Sequence, residues 1–187
     1  MRKVPLLDRL APGALAAALL FPLSARIVAA RPVKPADDAG GCARVYKALE
    51  NVVTTPGHSY TTETSSQRGT TQSESISLDG KVYVFSSNRW ILSPVTSQEM
   101  KQQLRQSALH ATLACRLIGE EQVEDRTATV YATTRQTGDS KNASRLWIDK
   151  ASGLLLRQEE DLTSGDHTVH RSTRYEYGNV KAPRLAD

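Results

Sequence analysis

Closely spaced turn signals are the feature that most restricts how this chain can fold. From residue 58 to residue 177, apart from one helical segment, short runs rich in Thr, Ser, Val and Tyr are separated by turn residues at intervals of roughly 10 to 15 positions. Asp79-Gly80 is a strong hairpin signal, because both central residues of a type I′ turn need positive φ. Connections this short join antiparallel strands, since parallel pairs need long crossovers. We therefore predict an antiparallel sheet.

Two segments have a helical period instead. In the first, at residues 42–53, apolar residues recur at i, i+3, i+4 and i+7, and Pro56-Gly57 ends the helix. The second begins near Thr96, which forms a capping-box pattern with Glu99. The predicted order is helix, four strands, helix, five strands. This order indicates an α+β fold built on one large curved antiparallel sheet, with two helices available to cover its concave face.

The last 75 residues are predicted to form a meander of five strands. We predict a loose loop at residues 137–142, where the sequence is TGDSKN. The predicted strands are 113–123, 126–136, 144–149, 154–162 and 167–177.

The first thirty residues have the order of parts of a secretory signal peptide. Arg2 and Lys3 precede an apolar stretch at 11–25, and small residues end at Ala30, where we predict cleavage. A membrane anchor is the alternative, but the apolar run is shorter than the ~20 residues that span a bilayer. Lipidation of Cys42 is a third possibility, which the missing aliphatic residue three positions before it disfavours.

The remaining chain divides simply. Residues 31–41 are rich in Pro and Gly and are predicted to form a flexible leader. A single domain follows at 42–180, and 181–187 form a tail. With a cleaved signal, the protein is expected in the periplasm or outside the cell.

Two cysteines remain after the predicted cleavage, Cys42 and Cys115. In an exported protein an even cysteine count indicates a disulfide first. Two buried thiols are the alternative. A reactive cysteine is disfavoured, because neither residue belongs to a C-x-x-C or other catalytic signature.

The charge pattern argues against a nucleic-acid partner. Lys and Arg outnumber Asp and Glu by 24 to 20, but residues 1–30 hold four of the bases and one of the acids. The rest of the chain is therefore close to neutral. Phosphate binding needs a clustered excess of Lys and Arg, which the sequence lacks.

No catalytic or metal-binding pattern is present in the sequence. His167 and His170 stand three apart on a predicted strand, so their side chains point to opposite faces. Neighbouring carboxylates such as Glu159 and Glu160 also point apart on a strand. Hydrolase, zinc-protease, phosphate-loop and dinucleotide motifs do not occur. We predict a protein that is not an enzyme and has no cofactor and no metal.

Large apolar side chains are scarce for so large a sheet. Phe85 is the only Phe after the signal segment, and Trp90 and Trp147 are the only Trp residues. Such a sheet beneath two helices predicts either a cavity or an interior unusually rich in Thr. An ordinary small core is the alternative.

One segment resembles a known family. Residues 144–160 read SRLWIDKASGLLLRQEE, a strand ending Leu-Trp-Ile-Asp, a turn with Gly, and a Leu-rich return strand. With the preceding residues 117–123 and 127–131, and the final strand containing Tyr175, this is similar to the bacterial periplasmic LolA-like superfamily. That group includes the outer-membrane lipoprotein carrier and the sheet domain of RseB. The resemblance implies an unclosed half-barrel with the helices as a lid.

The resemblance and the scarcity of large side chains together predict a binding protein for an apolar ligand, such as a lipid or an acyl chain. The ligand would lie inside the half-barrel, with helix 96–111 as the lid. The residues predicted to contact it are Tyr83, Phe85, Trp90, Leu92, Met100, Leu104, Tyr131, Leu146, Ile148, Leu154 and Leu156.

A protein-interaction or sensor module is the alternative function. It would have a filled core and would use the convex sheet or an edge strand to bind a partner. Expected partners are a hydrophobic ligand, a lipidated protein or a transient membrane-associated protein, with the chain itself a monomer.

Overall fold

The computed structural model describes residues 39–110 and 113–185. The predicted signal peptide at 1–30 and most of the leader lie outside these residues. Two helices and nine strands are found in the described part. They are α1 Ala39–Thr54, β1 Gly57–Ser65, β2 Gly69–Leu78, β3 Lys81–Ser86, β4 Arg89–Leu92, α2 Ser97–His110, β5 Leu113–Val123, β6 Arg126–Thr137, β7 Ser140–Asp149, β8 Leu155–Ser164 and β9 His167–Tyr177.

All nine strands form one antiparallel sheet in the order β4-β3-β2-β1-β9-β8-β7-β6-β5. Hairpins join neighbours within the first four strands and within the last five. The pairing of β1 with β9 joins these two groups. The two edges are β4 and β5, and the sheet is not closed between them. The predicted α+β fold on a large unclosed antiparallel sheet is therefore confirmed.

Helix α1 packs on one face of the sheet, here called the helix face. Its apolar side buries Val45 and Ala48 against side chains of β5 to β8, and these residues form the main core. Removing that area from water is the chief stabilising term for the helix. The sheet members of this cluster are Cys115, Tyr131, Leu146, Ile148 and Leu155.

A second cluster lies on the opposite side of the sheet, here called the outer face. Its centre is Trp147, which is 3% exposed and packs with Val130 and Leu156. The guanidinium groups of Arg145 and Arg157 lie over its ring at 4.9 and 4.8 Å. These contacts cover the indole without a helix, because the two guanidinium groups lie against the ring face.

Helix α2 begins with the predicted capping box. The Glu99 amide donates to Thr96 Oγ1 at 3.2 Å, and the Thr96 amide donates to Glu99 Oε2 at 2.7 Å. The helix packs against α1, where Arg105 Nε donates to Glu50 Oε1 at 2.7 Å. In the described residues no helix is both long and apolar enough to cross a membrane.

Two predicted boundaries are wrong. The loose loop at 137–142 is instead a two-residue turn at Gly138-Asp139, because β6 extends to Thr137 and β7 begins at Ser140. These strand ends lie beyond the apolar core, so their sequence lacks the alternation of apolar and polar residues that identifies a strand. The backbone pairing nevertheless continues there. Helix α1 begins at Ala39, three residues before the predicted start.

The predicted disulfide between Cys42 and Cys115 is confirmed. It joins the first turns of α1 to the edge strand β5, across 73 positions of sequence. A bridge over so long a loop restricts mainly the unfolded chain in the entropy model.

We expect replacement of Cys42 and Cys115 by Ala together to lower the free energy of unfolding by about 4 kcal/mol. Urea titration followed by circular dichroism measures this, and a steeper slope is expected for the variant because its unfolded chain is less compact. Reductant should destabilise the parent protein and leave the double variant unaffected. Equal stability of parent and double variant would contradict the prediction.

Candidate ligand-binding cleft

A cleft of about 740 Å³ opens between α1 and the adjoining parts of β5, β6 and β7. Its volume lies within the usual range for small-ligand sites. Its walls are one side of α1 from Ala43 to Asn51, the middle of β5, and the turn that follows β7. Tyr131 and Ile148, both buried core residues, form part of its lining. The cleft is thus continuous with the apolar core.

A β-bulge in β5 forms one wall of this cleft. Leu117 pairs with Tyr131 and Gly119 pairs with Val130, so Ile118 is an extra residue in β5. Gly119 has a φ of 154°, a conformation that residues with a Cβ rarely adopt. The bulge bends the edge strand and leaves Leu117 45% exposed on the cleft side. An apolar side chain therefore faces the open cleft.

Polar groups of α1 fix the positions of the cleft walls. Arg44 Nη1 donates to Tyr131 Oη at 3.4 Å, and Asn51 Nδ2 donates to the Gly153 carbonyl at 3.4 Å. The first contact joins the helix to the floor, and the second joins it to the β7–β8 turn. The helix is therefore held at two points along the cleft.

The rim of the cleft carries both signs of charge. Lys150 Nζ lies 2.6 Å from Glu120 Oε1, so these two charges compensate each other. Lys47 lines the same cleft, and no carboxylate in the described part of the chain lies within ion-pair distance of it. An amphiphile could therefore place its apolar part on the floor and its polar part at this rim.

Asp149 shapes the turn at the end of the cleft. Burial alone would raise the pKa of Asp149, but hydrogen bonds from the Ser152 hydroxyl at 2.5 Å and the Ala151 amide at 3.2 Å outweigh it. The Arg126 guanidinium, 4.0 Å away, acts in the same direction. The pKa of Asp149 is therefore held below its usual value.

The structure divides the eleven predicted ligand-contacting residues between several places. Four of the predicted residues lie on β3 and β4, and the pairing register of these strands places them on the outer face, the face that carries Trp147. Leu156 also lies on that face, in the outer cluster. These four are Tyr83, Phe85, Trp90 and Leu92.

On the helix face, Tyr131 and Ile148 line the cleft and Leu146 packs beneath α1. Met100 and Leu104 are half-buried on α2, and Leu154 lies in the turn before β8. The eleven residues therefore do not share one cavity as a set, and their contact with a ligand stays a prediction.

Sequence reasoning missed Leu117 and Gly119. The alternation predicts a regular strand at 113–123, whereas a glycine within a strand often marks a bulge or a close approach of the backbone. Gly119 is that signal in this chain.

His167 and His170 belong to no cluster of potential metal ligands in the described residues. In the described residues no group of three or more potential ligands is close enough to hold a metal ion. His170 Nδ1 instead lies 2.8 Å from Asp161 Oδ1 on the neighbouring strand, an exposed pair.

This chain is similar in fold to several solved structures. LprF from Mycobacterium bovis is 8% identical, with 81% of this chain and 100% of that chain covered and a TM-score of 0.44. MucB, solved in complex with MucA(peri), is 16% identical, with 76% of this chain and 57% of that chain covered and a TM-score of 0.44. The LolA superfamily protein NE2245 from Nitrosomonas europaea is 7% identical, with 75% of this chain and 94% of that chain covered and a TM-score of 0.30.

A member of the LolA superfamily is thus among the similar structures. All three TM-scores are below 0.5. No family model matches the sequence. No curated protein matches it either.

We expect Asp149→Asn to lower the free energy of unfolding at pH 7 by about 1 to 2 kcal/mol, because it weakens hydrogen bonds to a charged acceptor. The depressed pKa stabilises the folded protein above the usual carboxyl pKa of about 3.9, and this contribution is lost as the pH falls through the lower folded value. Urea titrations between pH 7 and pH 2 should therefore show a shallower acid loss in the variant. The exposed Asp139, replaced by Asn, is the control, and identical pH profiles for Asp149→Asn and the parent would contradict the prediction.

Proposed function

We propose that this chain is an exported, non-catalytic binding protein that holds the apolar chain of an amphiphile in the cleft between α1 and β5–β7. The observation that carries the proposal is the open cleft itself, which is lined by Leu117, Tyr131 and Ile148 and joins the apolar core. Burial of hydrocarbon there would contribute about 0.8 kcal/mol per methylene. A periplasmic or secreted location accords with the disulfide.

The charged rim would position the polar end of such a ligand. Lys47 supplies a cation at the rim, where it also acts electrostatically on Glu50, and the Lys150–Glu120 pair offers both a donor and an acceptor. A few polar groups around an apolar floor are the usual composition of small-ligand sites.

A protein-binding role is the second candidate, and the edge strands favour it. β5 and β4 each expose an apolar pair, Leu117-Ile118 and Ile91-Leu92. An extended peptide could add to either edge through main-chain hydrogen bonds. In this reading the cleft would receive a side chain of the partner rather than a lipid.

Native mass spectrometry of protein taken from an oxidising periplasm tests the first proposal. We expect a mass excess of lipid size that disappears after organic extraction. A protein with no such excess, which also fails to bind a fluorescent C16 fatty acid after extraction, would overturn the lipid proposal and direct attention to peptide partners.

We expect Leu117→Glu to weaken binding of a fluorescent C16 fatty acid by more than tenfold, because a carboxylate in the cleft would have to lose its water against the chain. Ile91→Glu is the matched control, since Ile91 is 41% exposed on the other edge strand and does not line the cleft. Fluorescence titration measures both. Equal loss in the two variants would place the site outside this cleft.

A further inference from the structure

A second concavity lies on the helix face beyond the C-terminal part of α1. It has a volume of about 400 Å³ and is formed by β1, β2, β8 and β9, with Val52 the one residue that α1 contributes. None of its residues lines the cleft. We call it the polar basin, because all its side chains except Val52 and the ring of Tyr175 are polar.

The sheet beneath the basin carries hydroxyl groups where a helix-covered sheet usually carries Val or Leu. The hydroxyls of Ser59 and Ser75 lie 2.7 Å apart, and those of Thr61 and Thr173 lie 3.0 Å apart across neighbouring strands. Each hydroxyl has one donor and two acceptor positions, so these pairings leave further hydrogen-bonding capacity toward the basin.

The charges of the basin are grouped around one guanidinium. Arg171 Nη2 donates to Glu63 Oε2 at 2.7 Å, and Arg171 Nη1 donates to Glu160 Oε2 at 2.9 Å. Asn142 Nδ2 donates to the other oxygen of Glu160. Two carboxylates against one cation give the basin a net negative charge, and the guanidinium is already engaged by both. An anionic ligand would be repelled.

An apolar chain is also a poor occupant. It would strip water from the hydroxyl and carboxylate groups and return no hydrogen bonds to them. The fitting occupant is neutral, donates and accepts many hydrogen bonds, and has one less polar surface. Tyr175, whose hydroxyl donates to Gln158 Oε1 at 3.2 Å, and Val52 would contact that surface.

We propose that the polar basin binds a neutral polyhydroxylated ligand of the size of a mono- or disaccharide. Sugar hydroxyls act as donors and acceptors together, which matches the paired Ser and Thr hydroxyls and the planar carboxylate and amide groups. The C–H face of the ring matches Tyr175 and Val52. This site is separate from the cleft and does not depend on the function proposed for it.

Amide chemical-shift mapping of the exported protein tests this proposal with maltose, trehalose and N,N′-diacetylchitobiose as probes. We expect at least one of them, at about 10 mM, to shift the amides of Ser59, Thr61 and Thr173 and to leave that of Leu117 unchanged. This concentration is tenfold above the dissociation constant of a millimolar site. No shift in the basin with any of the three sugars would overturn the proposal.

Thr61→Val identifies the hydroxyl contribution, because valine keeps the shape of the side chain and loses the oxygen. We expect it to weaken binding of the active sugar about tenfold. Thr62→Val is the matched control, since Thr62 is the next residue on the same strand and faces the other side of the sheet. Equal affinities in the two variants would contradict the assignment.

The parent protein and two variants, Thr61→Val and Leu117→Glu, distinguish the polar basin from the cleft. Thr61→Val should leave binding of the C16 fatty acid unchanged, and Leu117→Glu should leave sugar binding unchanged. Failure of the fatty acid to bind the parent would remove the function proposed for the cleft and leave the basin result intact.

Discussion

The pairing of β1 with β9 is the contact on which the rest of the structure depends. Within the described residues it is the strand pairing that joins the first four strands to the last five, and it runs in continuous register from Gly57 opposite Tyr177 to Ser65 opposite Val169. Gly57 permits a close approach, because a Cβ there would lie 3.2 Å from the ring of Tyr177. Since α1 ends directly before β1, this pairing also determines where the helix lies over the sheet.

The position of α1 divides the helix face into two regions of different chemistry. On one side of the helix, the bulge of β5 leaves a cleft lined by Leu117, Tyr131 and Ile148. On the other side, β1 and β9 present Ser and Thr hydroxyls around Arg171. The chain has few large apolar side chains to fill these two regions. The region beside β5 is therefore left open as the cleft, and the region over β1 and β9 is polar. The sequence prediction, either a cavity or a Thr-rich interior with an ordinary small core as the alternative, did not distinguish these two regions.

Local signals were sufficient to predict the elements of this fold but not the faces of its sheet. Asp79-Gly80 predicts its hairpin because both residues adopt positive φ, and Thr96 with Glu99 predicts the start of α2. The side to which a strand presents its residues depends on register with distant strands, which no hairpin signal encodes. Tyr83 and Phe85 face outward because β3 follows the register of β2, β1 and β9. The extra residues at Ile118 and Leu156 shift the alternation again, so the cleft could not be assembled from periodicity alone.

The attachments of α1 determine how a ligand can reach the cleft. The disulfide from Cys42 to Cys115 fixes one end of the helix to β5, and the short connection through Pro56 fixes the other end to β1. A helix attached at both ends keeps this wall of the cleft in place, and the cleft is open to solvent beside it. Helix α2 is attached to α1 by ion pairs of Glu50 with Lys101 and Arg105, and the Arg105 hydrogen bond lowers the pKa of Glu50. In the described part of the chain α2 contributes no residue to the cleft, so these ion pairs position α2 on α1 without closing the cleft.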